Sequence, residues 1–161
     1  MPKFNTLLRE CGIDPDVVQL VRHKDRGPSD TTPYSLYLTN PAKFEEYQSY
    51  QGRKVFHRPL IASFVVSPAP IYETVFVGLY GVAPPKLNTE TVVCPVREKA
   101  FTSGRALIYP LTLKQELQEL ILRLTIVWGE GYRSWVQRAD KQNKDIQEIR
   151  QQFIEPARIR K

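Results

Sequence analysis

The sequence predicts an α+β fold, a small closed β-barrel with helices packed around it. Two runs, Leu60–Val66 and Thr74–Val82, are apolar on nearly every residue, the mark of strands covered on both faces. Phe4, Leu7, Leu8 and Cys11 recur at i, i+3, i+4 and i+7, the spacing of an amphipathic helix. With 161 residues, 42% hydrophobic, the chain suits one domain, residues 1–161, with a sizeable core.

The elements follow in order. The opening helix ends near Gly12. Asp14-Pro15 can start another helical turn, and Val17–Val21 reads equally well as a strand, so both readings stay open there. Arg22 to Pro33 is a polar, highly charged loop by composition. Asn40-Pro41 is a helix start, a capping amide followed by proline, and Phe44, Tyr47 and Gln51 share one face of that helix. A basic turn, Arg53–Arg58, leads into the two apolar strands, and Ser67–Glu73 is the turn between them.

Pro84-Pro85 ends the second strand, and Thr91–Val96 suits a sheet edge, where proline is tolerated. Thr112 and Gln115 form a capping-box pattern, with Leu113, Leu117, Leu120 and Ile121 as the buried stripe of a helix. Leu124–Trp128 and Arg133–Arg138 then read as a hairpin turning at Gly129-Glu130-Gly131. Ile146, Ile149 and Phe153 mark a final helix from about Asp140.

Lys and Arg outnumber Asp and Glu by 23 to 17, a net charge of +6 that favours an anionic partner. From Gly131 onward, eight basic residues face four acidic ones, so that region carries +4 of the excess. Cys11 and Cys94 lie far apart, and the only histidines are His23 and His57, which argues against a zinc site or a metal cofactor. Two unpaired cysteines read as reduced, buried and cytoplasmic. Neither a signal peptide nor a membrane-length apolar run is present in the sequence, so no membrane partner is expected.

The segment from Trp128 to Asp140 points most directly at a ligand. It sets Trp128 and Trp135 among Arg133, Gln137 and Arg138, and nucleobases are stacked upon by aromatic faces and hydrogen-bonded at their edges by amide and guanidinium groups. A tryptophan on a barrel strand is also an ordinary core residue. In the charged loop, Arg22 offers a phosphate contact, while His23 and Asp25 offer hydrogen bonds to a base edge. Tyr34 is a further aromatic wall. Ser63 is a hydroxyl in a fully apolar strand, so it needs a buried partner or faces a ligand pocket. No catalytic triad, P-loop or metal cluster stands out, and Gly78–Gly81 and Gly129–Gly131 lack the strand–loop–helix context of a nucleotide fingerprint.

Several stretches carry a resemblance: Leu20–Asp25, Thr32–Tyr34, Phe44–Ser49, Ala62–Phe64, Phe76–Tyr80, Trp128-Gly129 and Arg133–Asp140. In their order, the chain resembles the N-terminal domain found ahead of GIY-YIG nuclease domains in a group of bacterial proteins. That resemblance implies DNA as the partner, with sensing of a modified or flipped base on behalf of an attached nuclease domain or subunit. It implies no cleavage by this chain, because Ile71-Tyr72 and Val77–Tyr80 lack the Gly-Ile-Tyr and Tyr-Ile-Gly tripeptides at proper spacing. The nuclease is then expected beyond residue 161, the chain being a stand-alone reader or an excised domain. By architecture the barrel is also similar to PUA-like readers of the EVE, YTH and SRA type. The rival expectations are an RNA-binding PUA-like module and a protein-interaction scaffold whose aromatics are core.

Overall fold

The computed structural model describes residues 3–24, 32–52, 54–88, 107–128, 135–141 and 144–147, and the backbone of 92–93 and 100–101. The chain is α+β: a curled, mixed sheet forms a half-barrel, with three short α-helices among the described residues.

Helix α1 spans Phe4–Glu10, and a short 3-10 turn, Pro15–Val17, capped by the Asp14 side chain, feeds strand β1, Val18–His23. Both open readings of 14–21 are therefore realised, one after the other. Helix α2, Pro33–Thr39, starts at a reciprocal Thr32/Ser35 capping box, and α3, Pro41–Ser49, starts at Asn40 as its sequence requires. Gln51, expected on the α3 face, lies instead in strand β2, Tyr50–Gln51.

Strands β3, Leu60–Val66, and β4, Thr74–Val82, form the long antiparallel pair at the centre, joined by the 67–73 link with a cis peptide at Ala69-Pro70. Short strands follow: β5, Lys86–Leu87; β6, Val92–Val93; β7, Ala100–Phe101; β8, Leu107–Ile108; β9, Leu111–Leu113. The last are β10, Thr125–Ile126, β11, Val136–Arg138, and β12, Ile146–Gln147. The main sheet runs β11-β1-β3-β4-β10-β12, with β9 also on β4; β1 is parallel to β3 and its other pairs are antiparallel. Strands β2, β8 and β5 make a separate small sheet, and β6 pairs with β7.

A parallel pair needs a crossover, and α2 and α3 lie in the stretch that supplies it. One face of the sheet is covered by α1, where Phe4, Phe64 and Phe76 meet at centroid distances of 5.6, 6.0 and 5.6 Å. Behind the other face, Val21, Phe56, Ile61, Tyr80 and Tyr109 form a second apolar cluster.

The structure corrects several expectations. Leu124–Trp128 and Arg133–Arg138 are not a hairpin. Strand β10 pairs with β4 and β12, whereas β11 pairs with β1 on the far edge of the sheet. Each short strand completes the open edge of a long buried strand and so satisfies that edge's backbone hydrogen-bonding groups. The proposed turn at 129–131 lies outside the described residues.

The barrel is open rather than closed, because its terminal strands β11 and β12 do not pair among the described residues. The helix expected from Thr112 is strand β9 followed by a 3-10 turn, Gln118–Leu120. Leu117 and Leu122 have φ of 62° and 64°, which no helix accommodates, yet their side chains still reach the core. Ile146 lies in β12 instead of a final helix; Ile149 and Phe153 lie outside the described residues. Cys11 is exposed rather than buried, and Cys94 lies outside the described residues.

Gly78 faces Ser63 at a register shift between β3 and β4 and has φ 141°; a Cβ there would meet Leu113 Cδ1 at 2.8 Å. Gly78→Ala is expected to cost about 1–3 kcal/mol, read as a lower urea midpoint. Gly81→Ala, whose Cβ would meet Lys114 Cδ at an ordinary 3.6 Å, should change stability by less than about 1 kcal/mol. Equal effects at the two glycines would show that this bulge does not depend on the Gly78 conformation.

Candidate functional site

The register places the last residues of β1, β3 and β10 and the first of β4 at one end of the half-barrel: Arg22 opposes Phe64, Val66 opposes Thr74, and Ile126 opposes Thr74. In a flat sheet, three strand steps would separate β1 from β10 by about 14 Å. The curl closes that gap, so that the Arg22 guanidinium sits 5.0 Å from the centre of the Trp128 ring. Arg22 was expected in a loop; it is in β1, and so is His23.

Trp128 is a core residue, 4% exposed, packed with Leu124 and Ile126. Its indole N–H has no hydrogen-bond acceptor among the described residues. A second cation reaches the same ring. Lys144, also buried, lies with its ammonium 4.9 Å from the ring centre and donates to the Trp128 carbonyl. Desolvation by burial, with the nearby Arg22 charge second, lowers its pKa to about 8. The sequence does not single out Lys144, because the stretch from about Asp140 reads as a helix; in the structure Lys144 precedes β12, its carbonyl accepts from Phe4 N–H, and its side chain lies beside Trp128.

Gln137 stands opposite Leu20 in the β1·β11 pair, two residues along β1 from Arg22 and therefore on the same face. It is 9% exposed, and neither its amide nitrogen nor its amide oxygen has a partner among the described residues. Tyr34, on α2, is half-buried; burial and then the neighbouring Glu73 carboxylate raise its hydroxyl pKa. Glu73 is itself buried at this end, its backbone N–H donating to Ser67 Oγ at 2.7 Å.

The remaining candidates lie elsewhere. Ser63 and His23 are buried together under α3, where Gln48 Oε1 accepts from Ser63 and lies 2.9 Å from His23 Nε2. His23 is ringed by Phe44, Tyr47 and Trp135 at 5.3, 5.4 and 5.5 Å between centroids. Ser63 thus has the buried partner its strand demands. Half-buried Trp135 also packs on Phe56 at 6.4 Å. Arg138 is held at the surface by Asp140 at 2.7 Å and Asp16 at 2.9 Å; the hydrogen bond to Asp140 is the leading reason its pKa is raised. Asp25 and Arg133 lie outside the described residues.

No family model, curated protein or solved structure matches this chain. No helix among the described residues is long and apolar enough to cross a membrane.

Two cations and an indole N–H therefore gather at one end of the curled sheet, and the Gln137 amide, without a partner among the described residues, lies further along β1 on the face that Arg22 shares. The arrangement can hold an anionic group and present a donor–acceptor pair on the same face.

The lowered Lys144 pKa has a thermodynamic consequence. Between about pH 8 and 10.5 the unfolded chain keeps this proton while the folded chain releases it, so its contribution makes stability rise with pH across that window. Lys144→Met should remove that rise, measured as urea stability against pH. A variant curve that keeps the wild-type slope would mean the ammonium is not desolvated beside Trp128.

Proposed function

We propose that this protein is a nucleic-acid reader, with DNA as its partner, that takes a modified or flipped base at the open end of a PUA-like half-barrel and directs an associated nuclease. The observation that carries this reading is the grouping of Arg22 and Lys144 on Trp128, with the uncommitted amide of Gln137 on the same face. The net charge of +6 supports it. The resemblance of the sequence to nuclease-associated domains favours DNA and leaves the cutting to another domain or subunit.

The roles follow from the chemistry. Arg22 and Lys144 meet phosphate, where charge-assisted hydrogen bonds are strongest. Gln137 offers one donor and one acceptor side by side, the pattern that pairs with an adenine edge and that a modified base can alter. Trp128 is a pedestal for the cations rather than a stacking wall, because it is buried and two charges already crowd its ring. Stacking falls to Tyr34, which is half-buried beside Glu73, because Trp135 packs on His23 and Phe56 behind the other face. A phosphate contact from Arg138 requires it to exchange Asp16 or Asp140 for the ligand.

Gln137→Leu separates binding from folding. Losing an amide that has no partner among the described residues should leave stability unchanged or raise it by about 1 kcal/mol. The same change should weaken the preferred DNA by roughly tenfold, the cost of one lost bidentate base contact. Fluorescence anisotropy with modified and unmodified duplexes, repeated across a salt series, tests the reading. Equal affinity for the two at every salt concentration would reduce the protein to a non-specific binder, and no binding at all would end the proposal. Affinity should also fall as pH rises through about 8, where Lys144 loses its charge.

A further inference from the structure

Beside the Arg22–Trp128–Lys144 group, the link from β3 to β4 carries an exposed aromatic at the same end of the half-barrel. Tyr72 is 58% exposed and has φ 53°, a left-handed backbone that a bulky residue rarely adopts. The link itself explains the conformation. Ser67 N–H donates to the Glu73 carbonyl at 2.9 Å, Glu73 N–H to Ser67 Oγ at 2.7 Å, and Tyr72 N–H to the Pro68 carbonyl at 3.3 Å. Closing this loop needs a left-handed residue at position 72, but glycine or asparagine would fill that need with less strain.

The fold therefore accounts for the backbone at 72 and not for the tyrosine. Its ring is not in the core, and the Lys24 ammonium lies 5.9 Å from the ring centre. Lys24 follows directly on β1 and is exposed, so the pair joins a flat aromatic surface to a solvated positive charge. One nucleotide has the matching features, a planar base with a phosphate beside it.

We propose that Tyr72 and Lys24 form a second nucleic-acid contact: Tyr72 stacks on one unpaired DNA base, and Lys24 meets the phosphate next to it. This inference rests on the reading of the protein as a DNA binder and extends it to the rim of the half-barrel. Stacking on an aromatic tolerates any base, so the contact adds affinity for unpaired strand without adding sequence preference.

The test uses the full chain and a fluorescent single-stranded oligothymidine, read by anisotropy across a salt series. Tyr72→Asn should fold at least as stably as wild type, because asparagine suits the left-handed position, and should bind about tenfold more weakly. Tyr72→Phe keeps the ring and should bind within twofold of wild type. Lys24→Gln should lower the salt slope by about 0.7, the share of one phosphate on a single strand. If wild type binds and Tyr72→Asn binds equally well, the rim contact is overturned while the DNA reading stands. If wild type binds no DNA of any kind, both fall. A loss shared equally by Tyr72→Phe and Tyr72→Asn would also overturn stacking, since it would follow the hydroxyl instead of the ring.

Discussion

Strands β3 and β4 are buried on both faces, and a strand pair with no wet side must be covered twice. On one side the cover is α1 and the phenylalanine group of Phe4, Phe64 and Phe76. On the other it is α2 and α3 with the Phe56–Tyr109 cluster. The polar atom left between these layers, Ser63 Oγ, has no water to turn to, so Gln48 of α3 reaches down to it and meets His23 as well. That bond ties the crossover helix to both β1 and β3 and helps set the parallel register on which the site depends.

What the sequence made legible was local. The apolar runs at 60–66 and 74–82 announce strands because they are short, rich in branched and aromatic residues and apolar on nearly every residue, and Asn40-Pro41 announces α3 because its capping chemistry is complete within a few residues. What was not legible was partnership. Leu113, Leu117, Leu120 and Ile121 carry a helical period, yet the open edge of β4 claims Leu113 as strand and two left-handed leucines break the rest. The segment around 128–138 has every local sign of a hairpin, but its two strands are drawn to opposite edges of one sheet. Only the tertiary competition for those edges decides the outcome.

The same competition rearranged the candidate site. Arg22 and Trp128, chosen from segments more than a hundred residues apart, meet because the sheet curls. Trp128 and Trp135, chosen as neighbours on one hairpin, end in different surroundings: the first in the main core, the second against His23 and Phe56. Lys144 could have been found only by knowing that its segment leads into β12 beside β10, since its charge looks like any other in a basic tail.

The comparison that separates Gln137 from ordinary core packing is internal to this protein. Gln19 is buried and uses both ends of its amide, holding the 55–58 turn through Val55, His57 and Arg58. Gln48 is buried and serves Ser63 and His23, and Asn5 is buried and binds the Ala139 carbonyl. Each of these amides makes at least one bond that the fold uses. Gln137 is buried to a similar degree on the face shared with Arg22, and its amide makes none among the described residues. A buried amide that makes no bond among the described residues costs stability that leucine at this position would not, which is why Gln137→Leu can separate folding from binding. On the proposed reading, a ligand edge supplies the donor and acceptor that the described residues do not.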